Sequence, residues 1–209
     1  MVLFIALAAP ARSADASYKI AERFKMTDGG WDYAASDAEK GLIYWARTGF
    51  TDVIDAKTGI LSQLKSTGNA HIALPVPGTT LIVLPLRSPP KTVRIVDAAT
   101  DKVVTDLPAG DAPDGATYEA FSKHVFVINH NGSSLTELDP LAGKVVATIE
   151  VGGGKLEFGD ADGKGRVFVN VQAVGAIAVI DVKTKTVIAR YKSTARLPPA
   201  SPTPANLIS

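Results

Sequence analysis

Four segments of the 209-residue chain align without a gap: TDVIDAKTGIL, VRIVDAATDKVV, LTELDPLAGKVV and IAVIDVKTKTVI. Their aspartates are Asp55, Asp97, Asp139 and Asp181, a constant step of 42 residues. Equal steps mean that one supersecondary unit recurs, and that each copy needs its neighbours to bury its apolar faces. Every copy has the same internal plan. A short strand (WDYAASD, HIALPVP, DGATYEA, LEFGDAD) precedes a more apolar one (LIYWAR, TLIVLPLR, VFVINH, RVFVNVQ). The aspartate-bearing strand, a tight turn and a last strand such as KVVATIEV complete the unit. Short runs rich in Val, Ile and Thr, separated by Gly, Pro, Asp and Asn, read as strands and turns. The second strands look apolar on both faces, as in a strand covered on both sides.

Four antiparallel strands per 42 residues make the blade of a β-propeller. The fold class expected is therefore all-β, with four complete blades at about 31–67, 71–108, 114–151 and 156–193. The propeller region as a whole runs over 17–194. The recurring aspartate is read as a turn device, because its carboxylate accepts from backbone N–H groups two residues on.

Composition narrows the chemistry. Lys and Arg number 22 against 21 Asp and Glu, for a net charge of +1, so nothing marks a nucleic-acid partner. Cysteine is absent, which removes disulfides, thiolate nucleophiles and thiolate-bound metals. Apolar residues make up 46% of the chain, enough for a core.

The two ends fall outside the repeat. Residues 1–16 contain the run VLFIALAAPA, too short to span a bilayer and similar to the apolar core of a secretory signal. A periplasmic or secreted location is therefore expected, with no membrane span. Residues 195–209 carry Pro198, Pro199, Pro202 and Pro204 and are expected to be irregular. Tyr18–Phe24 (YKIAERF) reads as an additional outer strand that no visible blade requires. Such a strand points to a partner blade of three strands, so the four blades are expected to form an incomplete ring or open arc. Its bare blade faces would favour homo-oligomers.

The units resemble the YVTN-type β-propeller repeat family. The resembling words are VFVINHNG (125–132), LDPLAGKVVATI (138–149) and VIDVKT (179–184). The resemblance covers about residues 18–193 and implies an exported propeller, often of seven blades, of which this chain would be the first part. Relatives by fold include lactonases and lyases, but none of their catalytic motifs maps onto this sequence.

Alternating strand direction sorts the loops onto two faces. Loops entering the first strand and loops joining the second to the third share one face. That face carries Trp31, Asp32, Arg47, His71, Arg87, Asp114, His130, Asn131 and Glu157, with Lys155 and Gln172 beside them. Mixed polar groups around one mouth are the pattern of a binding site. Trp31 also fits blade packing, Asp114 also fits a turn cap after Pro113, and His71 and His130 fit metal ligation, contact with a polar ligand, or a structural or solvent-facing role. Arg47 and Arg87 suit a bidentate grip on a carboxylate or phosphate, or solvation. No catalytic residue, metal site or cofactor is assigned.

Two functions stand, beside a third reading in which the chain is a fragment with no function of its own. The first is an exported, non-enzymatic binding or scaffold module for a protein, peptide or small polar ligand. The second is a lactonase- or lyase-like enzyme built on His71, His130, Asp114 or Glu157, with or without a divalent metal.

Overall fold

The computed structural model describes residues 19–20, 23–26, 28–86 and 91–193. The leader 1–16, the tail 195–209 and Arg87 lie outside the described residues. So do Tyr18, Ala21 and Glu22 of the expected additional strand; its described members Lys19, Ile20, Arg23 and Phe24 are in no strand.

The described residues form four sheets, each a four-stranded antiparallel meander in chain order. The first blade holds β1 (Trp31–Asp37), β2 (Leu42–Arg47), β3 (Phe50–Asp55) and β4 (Leu61–Leu64). The second holds β5 (Leu74–Pro75), β6 (Leu81–Leu86), β7 (Thr92–Asp97) and β8 (Lys102–Pro108). The third holds β9 (Pro113–Glu119), β10 (His124–Asn129), β11 (Ser134–Asp139) and β12 (Lys144–Glu150). The fourth holds β13 (Leu156–Ala161), β14 (Arg166–Val171), β15 (Ala176–Asp181) and β16 (Thr186–Lys192). These are the blades that the repeat predicts. In the second blade the expected first strand HIALPVP shrinks to Leu74–Pro75 plus a single bridge from Ala70 to Leu86. Pro75 and Pro77 supply no backbone N–H to extend the pairing.

Each recurring aspartate closes its turn. Asp139 Oδ1 accepts from Leu141 and Ala142 N–H at 3.0 Å, and Asp181 Oδ1 accepts from Thr184 N–H at 2.7 Å. Asp55 does the same for Lys57 and Thr58, and Asp97 for Ala99. The inner-to-outer order also repeats a bulge. The outermost pair shifts register after Ile95, after Glu137 and after Val179, at the same step of 42 residues.

Three core clusters weld neighbouring blades. Tyr44 and Val53 meet Ile82 and Leu84 between blades one and two. Val83, Val93 and Ile95 meet Val125, Val127 and Leu138 between blades two and three. Phe126, Ile128 and Leu135 meet Val167, Val169 and Ile180 between blades three and four. Among the described residues no cluster joins blade four to blade one, so the sheets form an open arc.

This openness corrects the reading of the second strands. Only β6 and β10 lie between two blades, and their central residues are buried on both faces. The terminal strand β14 alternates instead: Val167, Val169 and Val171 are buried, while Arg166 and Asn170 are exposed. A strand with one neighbour needs only one apolar face.

Candidate functional site: an acidic and imidazole mouth

The innermost strands enter their blades with a common irregularity. In β1 the register passes from Trp31↔Arg47 to Ala34↔Trp45, so Asp32 and Tyr33 oppose Ala46 alone. In β9 it passes from Pro113↔Asn129 to Ala116↔Val127, so Asp114 and Gly115 oppose Ile128. In β13 it passes from Leu156↔Val171 to Gly159↔Val169, so Glu157 and Phe158 oppose Asn170. Each is a bulge, the device that re-aims a side chain at the rim of a sheet. The first residue of each bulge is an acid. In the second blade His71 follows the Ala70–Leu86 bridge and occupies the corresponding place. Asp32, His71, Asp114 and Glu157 are therefore structural equivalents from four blades.

These side chains converge. His71 Nδ1 lies 2.7 Å from Asp32 Oδ2 and 3.0 Å from Asp114 Oδ1, and so bridges blades one, two and three. His130, from the β10–β11 turn, lies with Nδ1 3.4 Å from Glu157 Oε1 and 2.6 Å from the Leu156 carbonyl. A carbonyl only accepts, so Nδ1 is the protonated nitrogen and the lone pair sits on Nε2. Asp114, His130 and Glu157 each present one potential ligand atom, and the three atoms lie within 4.8 Å of one another. Asp114 is buried, whereas His130 and Glu157 are half-buried.

A second feature adjoins this row. The two tryptophans of the chain meet edge-to-face, Trp31 against Trp45, with ring centroids 6.0 Å apart. Trp45 Nε1–H donates to the Asp32 carbonyl at 2.9 Å, tying the rings to the acid row. Met26, Asp28, Gly29, Trp31, Trp45 and Arg47 line a pocket of about 260 Å³. Trp31 remains 71% exposed, so most of its ring is not taken up by packing within the blade. Trp45, Met26 and Asp28 were not singled out by the sequence. The available signal was that both tryptophans fall near the paired ends of one hairpin.

The remaining candidates divide. Arg47 is only 4% exposed; it forms a buried ion pair with Asp52 and donates from Nε to the Gly30 carbonyl at 2.9 Å. It underlies the pocket as a structural group. Asn131 is exposed in its turn. The buried amide of that region is Asn129, whose Nδ2 donates to Ser134 Oγ and Thr136 Oγ1 at 3.0 Å. Gln172 stands in a 3-10 turn, and together with Glu157, Asn170 and Ile177 it borders a groove beside the mouth.

The opposite face is built differently. There the carboxylates serve turns: Asp37 accepts from Lys40 N–H, Asp162 from Lys164 N–H, and the recurring aspartates as above. Backbone donors, chiefly from Thr58 and from Thr184, hold Asp55 and Asp181 below the ordinary aspartate range. The mouth acids Asp32, Asp114 and Glu157 face imidazoles instead; on the opposite face Glu137 does so too, with Oε1 2.7 Å from His124 Nδ1.

No protein-family model matches this chain, and no curated protein matches it in sequence. Solved structures do. A chain of Kuenenia stuttgartiensis hydrazine synthase superposes with a TM-score of 0.71 at 13% identity, over 84% of this chain and 52% of that one. A chain of a nidogen/laminin complex superposes with a TM-score of 0.61 at 14% identity, over 77% of this chain and 62% of that one. This chain thus spans about half to three-fifths of the length of these neighbours. At such identities the likeness concerns the fold alone, and that fold is β-propeller-like. Among the described residues no helix is long and apolar enough to cross a membrane.

Proposed function

We propose that this chain is an exported, non-enzymatic propeller module of the YVTN repeat type that binds a basic peptide or protein segment at its mouth. The carrying observation is the convergence of Asp32, Asp114 and Glu157 from three blades beside the Trp31–Trp45 pocket. Carboxylates on bulged strands attract Lys and Arg side chains, and the exposed face of Trp31 suits a cation above it. Export is supported by the signal-like run in 1–16 and by the absence of cysteine. The uncovered faces of the first and fourth blades favour association of two chains in solution.

Tryptophan fluorescence tests the binding reading, because Trp31 and Trp45 are the only tryptophans in the chain. A tri-arginine peptide is expected to perturb the emission saturably, and a tri-glutamate peptide is not. Trp31→Ala and Asp32→Asn should each weaken the effect. Equal responses to both peptides would sink the reading, and turnover of ester or lactone substrates by the wild-type chain would favour the enzymatic alternative.

A further inference from the structure

We infer that Asp114, His130 and Glu157 form a site for a divalent first-row transition ion, of the zinc or manganese class, at the axial mouth. The inference builds on the mouth as the binding face and adds a ligand that a basic peptide does not explain.

The geometry supports it in three ways. One ring nitrogen of His130 and one carboxylate oxygen each of Asp114 and Glu157 already lie within 4.8 Å of one another. Metal–ligand bonds of about 2.0–2.2 Å place neighbouring donors roughly 3–3.5 Å apart, so the Asp114 and Glu157 carboxylates need rotate only far enough to meet an ion held on His130 Nε2. The donors are also set by the fold: Asp114 and Glu157 from the bulges of β9 and β13, His130 from the turn that precedes β11.

The outer contacts are those that metal ligands use. His130 donates Nδ1–H to the Leu156 carbonyl at 2.6 Å, which leaves the lone pair on Nε2. A histidine ligand is characteristically oriented by such a bond from its other nitrogen. Asp114 is held from behind by His71 at 3.0 Å, and His71 by Asp32 at 2.7 Å. Hydrogen-bonded carboxylate ligands of this kind are likewise aimed by their partners.

Ligand chemistry selects the ion. One imidazole and two carboxylates suit zinc, manganese or ferrous iron. Calcium and magnesium favour all-oxygen sets and are expected to bind more weakly. Three protein donors leave coordination positions for water or for a ligand of the mouth.

The test uses the full chain, stripped with a chelator and titrated with zinc chloride by calorimetry. Imidazole nitrogen NMR reads the same titration, since the chain has only three histidines: His71, His124 and His130. The expected result is one ion per chain, with His130 resonances moving and His124, on the opposite face against Glu137, unmoved. His130→Ala and Glu157→Gln should each weaken binding about 10- to 100-fold. Glu157 is half-buried and its amide keeps the shape, so this variant reports even where His130→Ala fails to fold. No binding by the wild type, binding centred on His124, or unchanged affinity in Glu157→Gln would each overturn the site. The tri-arginine fluorescence test stands apart: zinc binding without peptide binding sinks only the peptide reading, and peptide binding without zinc sinks only the metal site.

Discussion

Tyr33 of the first blade meets Phe158 of the fourth with ring centroids 6.0 Å apart and planes inclined at 44°. These are the second residues of the bulges that begin with Asp32 and Glu157. The bulge therefore does two things at once. It turns an acid toward the mouth and sends an aromatic ring to meet the far end of the arc. The first and fourth blades thus touch at the axis although no core cluster joins them.

This contact is measurable. A double-mutant cycle of Tyr33→Ala and Phe158→Ala should give a coupling of about 0.5–1.5 kcal/mol in urea unfolding. Additive losses would mean that the axis is not held by this pair.

Arg47 and Asp52 form a buried pair beneath the Trp31–Trp45 pocket. Gln63 also donates to Asp52, at 2.9 Å. Arg47→Met leaves Asp52 charged and buried without its partner, a loss of about 3–5 kcal/mol. Replacing both, as Arg47→Met with Asp52→Leu, should recover much of that loss. Chemical denaturation of the three variants checks the ordering.

Glu119 is a buried carboxylate at the end of β9. Burial raises its pKa, but N–H donors from Ser122, Phe121 and Gly165 outweigh this and hold it below the ordinary glutamate value. A depressed folded-state pKa adds stability that is present above the unfolded value, about 4.3, and is lost as pH falls through the folded value. Glu119→Gln should therefore lower stability at pH 7 and flatten its fall under acid. Thermal melts between neutral pH and pH 3 read both effects.

The turn aspartates are individually modest. Asp139 accepts two N–H bonds in the β11–β12 turn, and Asp139→Ala should cost about 1 kcal/mol. Zinc affinity and the peptide response at the mouth should not change, because the turn lies on the other face.

The open faces predict association. Phe168 and Ile177 lie on the face of blade four that turns away from Val167, Val169 and Ala178 of the blade three–four core. Ile177 pairs with Tyr191 across β15 and β16, and both are exposed. Light scattering after size exclusion should give a dimer, and Ile177→Asp should shift it to monomer. A wild-type monomer would refute association through these faces.

The repeat, the blades and the turn role of the aspartates were all legible in the amino-acid sequence. They arise from local physics: strand patterning, turn chemistry and a period that every unit shares. The mouth residues Asp32, His71, Asp114, His130 and Glu157 were legible as a set, because strand alternation assigns each loop to a face. Their equivalence was not. They depart from the strict period, since bulges and loop lengths differ between blades, and register is settled by packing between strands. Tertiary structure alone decided that Arg47 pairs inward with Asp52 and that Trp45 joins Trp31. It also decided that Asp114, His130 and Glu157 come within ligating reach. The first two depend on how side chains of adjacent strands pack within one blade, and the last on which residues of neighbouring blades share one axis; local pattern carries no record of either.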